Sequence, residues 1–188
     1  MQEAGISCDF VGHPIVEEPV ATLNAAAAFR ATYDIGGAPL VLCLPGSRRS
    51  EIKHLAPIFG STLAKLKAVS PQSVIVVPAA ESVAEELRAQ ISAWQVDVIV
   101  LDPRNNSPDQ ALSNKRAAFR AADVALAASG TVSLELAANQ TPMVIGYDMG
   151  WLSRQIIGRL LKTDTITLVN LVSNTRHVPD FMGKKCSP

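Results

Sequence analysis

The chain has 188 residues, 48% of them hydrophobic, and its 17 lysines and arginines balance its 17 aspartates and glutamates. This composition provides a full core and excludes wholesale disorder. The zero net charge leaves no global field to attract nucleic acid, so any basic site must be local. Three separated cysteines, Cys8, Cys43 and Cys186, exclude a disulfide framework and indicate a reducing compartment. No stretch reaches the roughly 18–20 apolar residues of a membrane span.

The first part of the chain predicts little regular structure. Residues 12–38 are expected to form a linker with a short helix before the first long strand. The strand-like segment CDFVG lies close to the first residue of the sequence. The last residues, FMGKKCSP, show no capping element. We therefore interpret it as a domain cut from a longer chain.

Five short runs rich in valine and isoleucine follow, and each is apolar on both faces. Such runs are typical of parallel strands that helices cover on both sides of the sheet. The runs are 39–44, 73–78, 96–101, 122–128 and 142–147.

Helical stretches separate these strands. Apolar residues between Ile52 and Leu66 recur in steps of three or four, as one helix face requires, and Pro57 predicts a kink or a late helix start. Further helices are expected at 81–94, 107–122, 131–140 and 151–162. The alternation predicts an α/β fold with a doubly wound parallel sheet, in which ligands bind at the carboxyl ends of the strands.

The motif LPGSRRSEI follows the first predicted strand. Backbone N–H groups at a helix start and the helix dipole favour a phosphate, and Ser47 can cap the helix or donate to that phosphate. Arg48 and Arg49 can add charge-assisted hydrogen bonds, and nothing in the local sequence neutralises both. The alternative is two solvated arginines at a helix start, where the dipole disfavours cations. The Walker pattern GxxxxGKS/T is absent, which excludes a Walker loop.

The motif ASGTVSLELA follows the fourth predicted strand. Ser129, Gly130 and Thr131 form a second turn at a helix start, and Glu135 lies one helical turn after Thr131. A carboxylate there suits the two hydroxyls of a ribose, and the alternative is a surface glutamate on a short helix. Two such turns at one sheet edge predict a nucleoside diphosphate ligand. The absence of GxGxxG weighs against a nicotinamide or flavin enzyme.

Other candidate residues carry weaker signals. His13, beside a proline, is typical of a turn, and Asn170 follows the predicted strand TITLV (165–169). No spacing of His, Cys, Asp and Glu predicts a metal site, and the lack of GxSxG disfavours a nucleophilic hydrolase.

Five segments together resemble one known family. The segments FVGHP, LPGSRRSEIKHLAPIF, ASGTVSLELA, TPMVIGY and VNLVSNTRHVPDF are similar to those of lipid-A-disaccharide synthases, bacterial glycosyltransferases of GT-B architecture. The resemblance runs from about Phe10 to Phe181 and covers the C-terminal, nucleotide-sugar-binding half of the family. It implies the end of an N-terminal domain or a linker at 1–38, a Rossmann-like UDP-sugar donor-binding domain at 39–181 and a truncated tail at 182–188.

The resemblance also implies a reaction. Family members transfer the diacylated glucosamine of UDP-2,3-diacylglucosamine to 2,3-diacylglucosamine 1-phosphate, which gives a β-1,6-linked disaccharide and releases UDP. The implied catalytic residues are Arg48 and Arg49, which stabilise the departing UDP electrostatically. The implied donor-binding residues are Ser47, Arg48, Arg49, Ser129, Gly130, Thr131, Glu135 for the ribose and Asn170 near the donor sugar. No metal and no cofactor are expected, since the UDP-sugar is a substrate.

The family's setting gives further expectations. The protein would be cytoplasmic and peripheral on the inner face of the bacterial inner membrane, with a homodimer allowed and no nucleic acid partner. Residues 149–162 could form an interfacial helix, or else a core helix with a basic outer face. The acceptor site and general base belong to the absent N-terminal half, so we expect this chain alone to bind UDP without turnover. The alternatives are a UDP-sugar epimerase-type domain and a non-catalytic nucleotide-binding module.

Overall fold

A parallel sheet of six strands organises the chain. The computed structural model describes residues 14–148 and 165–188. The strand order is β3-β2-β1-β4-β5-β6, and every neighbouring pair is parallel. The strands are β1 (Leu40–Leu44), β2 (Val74–Pro78), β3 (Ile99–Leu101), β4 (Val124–Ala128), β5 (Met143–Tyr147) and β6 (Asp180–Met182). The predicted doubly wound α/β fold is confirmed.

Helices cover both faces of the sheet. They are α1 (Leu23–Thr32), α2 (Arg49–Val69), α3 (Ala84–Ile91), α4 (Pro108–Ala121), α5 (Val132–Ala138) and α6 (Leu168–Ser173). Strand β1 is buried along its whole length, and its side chains alternate between two core clusters. Leu40, Leu42 and Leu44 pack with α1, α4 and α5 on one face. Val41 and Cys43 pack with α2 and α3 on the other.

Helix α2 runs unbroken through Pro57. It begins at Arg49, so the predicted late helix start is wrong. The helix continues because Ile52, Leu55 and Phe59 bury the face that the sequence periodicity predicted, while Pro57 lies on the exposed side. The burial of that face offsets the one hydrogen bond that proline cannot donate.

Helix α1 packs on the sheet domain. Its Phe29 is buried in the core, and its Arg30 donates through Nη2 to the Ala121 carbonyl at 2.7 Å and to Asp123 Oδ2 at 2.8 Å. Residues 23–38, expected to belong to a linker, therefore contact the domain closely. The domain boundaries derived from the sequence stay a prediction.

The last part of the chain differs most from expectation. Residues 165–169, predicted as a strand, instead lead into helix α6. Short apolar runs are ambiguous between strand and helix, and the hydroxyls of Thr165 and Thr167 donate to the Asp180 side chain. Strand β6, which pairs with β5, was not predicted. His13 and the predicted helix at 151–162 lie outside the described residues. Within the described ranges, no helix is long and apolar enough to cross a bilayer.

Candidate functional site

A cavity of about 470 Å³ opens at the carboxyl ends of β1, β2 and β4. Because β1 and β4 are adjacent and parallel, the turns that follow them lie at the same edge of the sheet, as expected. The lining includes Gly46, Ser47, Arg48, Glu51, Lys115, Ser129, Gly130, Thr131, Glu135, Ile166 and Leu168. Of the residues predicted to bind the donor, Arg49 and Asn170 are not in this lining.

The turn between β1 and α2 is built around Glu51. Glu51 Oε2 accepts hydrogen bonds from the backbone N–H of Ser47 at 2.9 Å and of Arg48 at 3.2 Å. Its Oε1 accepts from Arg48 Nη1 at 2.7 Å. Gly46 has a φ of +126°, and a Cβ there would lie 2.5 Å from Glu51 Cβ and Oε2. Only glycine therefore fits between the turn and this carboxylate.

The start of α2 differs from one of the two roles predicted for Ser47. The N-cap of α2 is Arg48, so Ser47 does not cap the helix. Both arginines have a carboxylate neighbour, since Arg48 pairs with Glu51 and Arg49 Nε lies 3.7 Å from Glu86 Oε2. The first partner is three residues away on the next helical turn, whereas the second comes from α3 and could not be read from the motif.

The two arginines occupy different surroundings. Arg48 lines the cavity, whereas Arg49 lines a neighbouring groove with Glu86 and Arg104. Their side chains are 77% and 84% exposed, and ion pairs so close to water are weak. Both guanidinium groups can therefore exchange these partners for a stronger anion, but only Arg48 is already at the cavity.

The turn between β4 and α5 is held locally, by Ser133 Oγ donating to the Gly130 carbonyl at 2.8 Å, and also by contacts from distant parts of the chain. Ser129 Oγ donates to the Ile166 carbonyl at 2.7 Å, and Ser129 N–H donates to the Gly146 carbonyl at 3.1 Å. Thr131 is the N-cap of α5 without a side-chain capping bond. A Cβ at Gly130 would meet no atom of the described residues within 4 Å, so among them the backbone of this turn borders open space.

Glu135 contacts a residue that sequence reasoning missed. Lys115 Nζ lies 2.6 Å from Glu135 Oε2, and both side chains are about one-third exposed. Lys115 comes from α4, twenty residues earlier, in a helix whose existence was predicted but whose facing residues were not. No motif in the sequence marks this lysine.

Asn170 lies in α6, where it braces the chain and does not line the cavity. It is 1% exposed, and its Nδ2 donates to the Val178 carbonyl at 2.8 Å and to Thr165 Oγ1 at 3.1 Å. Its Oδ1 accepts from Val178 N–H at 3.1 Å. The amide that was expected near a donor sugar is therefore committed to the segment around α6.

A second cavity of about 720 Å³ adjoins the first at the carboxyl ends of β2 and β3. The two cavities share Pro78, Ala79 and Lys115. Asp102 in its wall is almost fully buried and accepts from Arg104 at 2.7 and 2.9 Å and from Arg88 at 3.0 Å. The Arg104 hydrogen bonds, supported by Arg88, outweigh burial and hold the pKa of Asp102 well below its usual range. These ion pairs therefore hold Asp102, Arg88 and Arg104 in place at the second cavity.

The described residues contain no group of three or more His, Cys, Asp and Glu side chains that could hold a metal ion. The cavity instead offers backbone N–H groups, hydroxyls, one guanidinium, one ammonium and two carboxylates. Such a set suits a polar, anionic ligand that also carries hydroxyl groups.

Solved structures share this fold at low sequence identity. A glycosyl transferase of family 9 from Veillonella parvula has a TM-score of 0.56 at 13% identity, with 81% of this chain and 47% of that chain covered. The ADP-heptose heptosyltransferase II of E. coli has a TM-score of 0.56 at 10% identity, with 88% and 47% covered. The fold is that of one half of a GT-B glycosyltransferase.

Relatives in sequence identify the family within this class of glycosyltransferase folds. The family model for lipid-A-disaccharide synthetase matches residues 1–188. A lipid-A-disaccharide synthase from Ruegeria pomeroyi is 52% identical over 188 residues, which are 100% of this chain and 47% of the relative. One from Rhodopseudomonas palustris is 40% identical over 184 residues, which are 98% of this chain and 44% of the relative.

The chain belongs to the lipid-A-disaccharide synthase family. It spans slightly less than half the length of these curated relatives and corresponds to their C-terminal part. This membership does not favour the alternative of a UDP-sugar epimerase-type domain.

Proposed function

We propose that this chain is the donor-binding part of a lipid-A-disaccharide synthase. The donor is UDP-2,3-diacylglucosamine, and the whole enzyme transfers its diacylated glucosamine to 2,3-diacylglucosamine 1-phosphate. A β-1,6 bond to the acceptor forms as the bond between the sugar and UDP breaks. One observation carries the proposal, namely that both strand-to-helix turns and Glu135 line a single cavity in a member of this family.

The cavity residues divide the work by their chemistry. The diphosphate takes the turn N–H groups and the Arg48 guanidinium, which stabilise the negative charge that develops as UDP departs. Glu135 accepts hydrogen bonds from the ribose hydroxyls. The adjoining cavity leaves room for the uracil base of UDP. Arg49, which lies in the neighbouring groove, contributes long-range charge and no direct contact.

The remaining roles belong to the enzyme as a whole. Cationic side chains and helix dipoles supply the positive charge, so the reaction uses no resident cofactor. The acceptor site and general base come from the rest of the parent chain. The enzyme works at the cytoplasmic face of the inner membrane, with residues 149–162 as a candidate contact with the lipid surface and a homodimer as its candidate assembly.

Calorimetric titration of this chain with UDP, UMP and ADP tests the proposal. We expect UDP to bind best, because it offers both the second phosphate and the uracil base. Arg48→Ala should weaken UDP binding about tenfold, since a charge-assisted hydrogen bond is lost at an exposed position. Arg49→Ala is the matched control, and it should change the affinity by less than about threefold.

Two results would contradict the proposal. Equal affinity for ADP and UDP would remove the uridine assignment. An Arg48→Ala variant that binds UDP as tightly as the wild type would remove the diphosphate from this cavity.

A further inference from the structure

Lys115 lies at the junction of the two cavities and has no role in the proposed function so far. It extends from α4 and lines both the 470 Å³ and the 720 Å³ cavity. Neither turn motif includes it. Its position makes it the one lysine that both cavities share within the described ranges.

Two contacts fix the Lys115 side chain. Its Nζ lies 2.6 Å from Glu135 Oε2 and 5.2 Å from the centroid of the Phe119 ring. Phe119 is 1% exposed, so the ring is anchored in the core one helical turn further along α4. The cation–π contact therefore holds the ammonium where it meets the carboxylate.

This arrangement orients Glu135. A carboxylate has about four acceptor positions, and Lys115 engages one oxygen, which leaves Oε1 for other donors. The side chain of Glu135 is 30% exposed at the cavity, where without a partner it would sample several rotamers. We infer that Lys115 is a positioning residue that holds the Glu135 carboxylate ready for the cis-diol of a ribose. The inference rests on the proposed nucleotide site.

A direct contact between Lys115 and phosphate is the competing role. The ammonium is engaged by both Glu135 and Phe119, whereas the more exposed Arg48 guanidinium can exchange Glu51 for a stronger anion. A positioning role predicts that the effect of Lys115 depends on the ribose hydroxyls. A phosphate role predicts that it does not.

Titration of the 188-residue chain with UDP and with 2′,3′-dideoxyuridine diphosphate separates these roles. Lys115→Met should weaken UDP binding about tenfold and leave binding of the dideoxy analogue unchanged. In a Glu135→Gln background, Lys115→Met should have little further effect on UDP binding, because the carboxylate that it positions is gone. Lys53→Met, an exposed site on α2 that lines neither cavity, is the charge-matched control.

Each result distinguishes the positioning role of Lys115 from a phosphate contact or from the absence of any role. An equal loss for UDP and the dideoxy analogue, or no loss for UDP, would overturn the positioning role. If the Met variant does not fold, as judged by its thermal unfolding, Lys115→Gln provides the same comparison. A wild-type chain that fails to bind UDP refutes the proposed function itself and this inference with it. Normal UDP binding with an unaffected Lys115→Met variant refutes this inference alone.

Discussion

The two turns at the cavity have similar sequences but differ in what holds them. The turn after β1 is braced locally by Glu51, which accepts hydrogen bonds from Ser47 and Arg48, four and three residues earlier. The turn after β4 is braced by Ile166, which accepts from Ser129 Oγ across 37 residues of sequence. The first turn is held by a carboxylate of its own motif, whereas the second combines a local bond from Ser133 Oγ to the Gly130 carbonyl with a contact from the end of the domain.

The bracing also determines what each turn offers a ligand. At the first turn, an internal carboxylate already occupies the N–H groups that a phosphate would use. At the second, the backbone around Gly130 borders open space. Within residues 14–148 and 165–188, an anion therefore meets an uncovered backbone at the second turn and a competing carboxylate at the first.

The largest expected effect comes from replacing the glycine of each turn by alanine, which compares the packing of the two turns. Gly46→Ala should lower the free energy of unfolding by about 3 kcal/mol, because its φ of +126° is unfavourable for alanine and the new Cβ would collide with Glu51. Gly130→Ala should change it by less than about 0.5 kcal/mol. Urea unfolding followed by circular dichroism measures both. Similar losses at the two positions would show that the turns do not differ in packing.

The second effect concerns Asp180, which holds the segment around Ile166 beside the second turn, and this effect depends on pH. Asp180 Oδ2 accepts from Ile166 N–H at 2.9 Å and from Thr167 Oγ1 at 3.0 Å. Burial alone raises the pKa of Asp180, but the hydrogen bonds from Thr165, Ile166 and Thr167 outweigh it and lower the pKa. A carboxyl whose pKa is lower in the folded state stabilises the fold above its unfolded pKa of about 4 and loses that contribution as the pH falls through the folded value.

Asp180→Asn tests this contribution. The variant should lose about 2 kcal/mol of unfolding free energy at pH 7 and show a smaller further loss than the wild type on acidification below about pH 4. Asp102, whose pKa is also low, leaves some pH dependence in the variant. Asp97→Asn, at an exposed site, is the control and should follow the wild type. A variant with the full wild-type acid sensitivity would exclude Asp180 as the source.

The same contrast explains what the sequence could predict. Both turns, five of the strands and the buried face of α2 were predicted because strand composition, helical periodicity and glycine turns are local patterns. Lys115 beside Glu135, Glu86 beside Arg49 and Asp180 beneath Ile166 were missed, because each pair joins residues 14 or more positions apart. The contacts of Asn170 with Val178 were also not foreseen, because the strand that follows Val178 was not predicted, and a role of Asn170 near the donor sugar stays a prediction. Glu51 is the exception, because its place in the motif was visible and its proximity to Arg48 was overlooked.

The smallest expected effect concerns Glu51, the carboxylate that competes with an anion for the donors of the first turn. Glu51→Gln keeps an acceptor for the Ser47 and Arg48 N–H groups but removes the negative charge, so it should cost about 1 kcal/mol of unfolding free energy. The same change should strengthen UDP binding about threefold, because the diphosphate no longer competes with a carboxylate for these donors. Glu86→Gln, which removes the carboxylate beside Arg49, is the control and should alter neither quantity by much. Weaker UDP binding by Glu51→Gln would mean that Glu51 serves the site by aiming Arg48, and the first turn would then resemble the second in being pre-formed for its ligand.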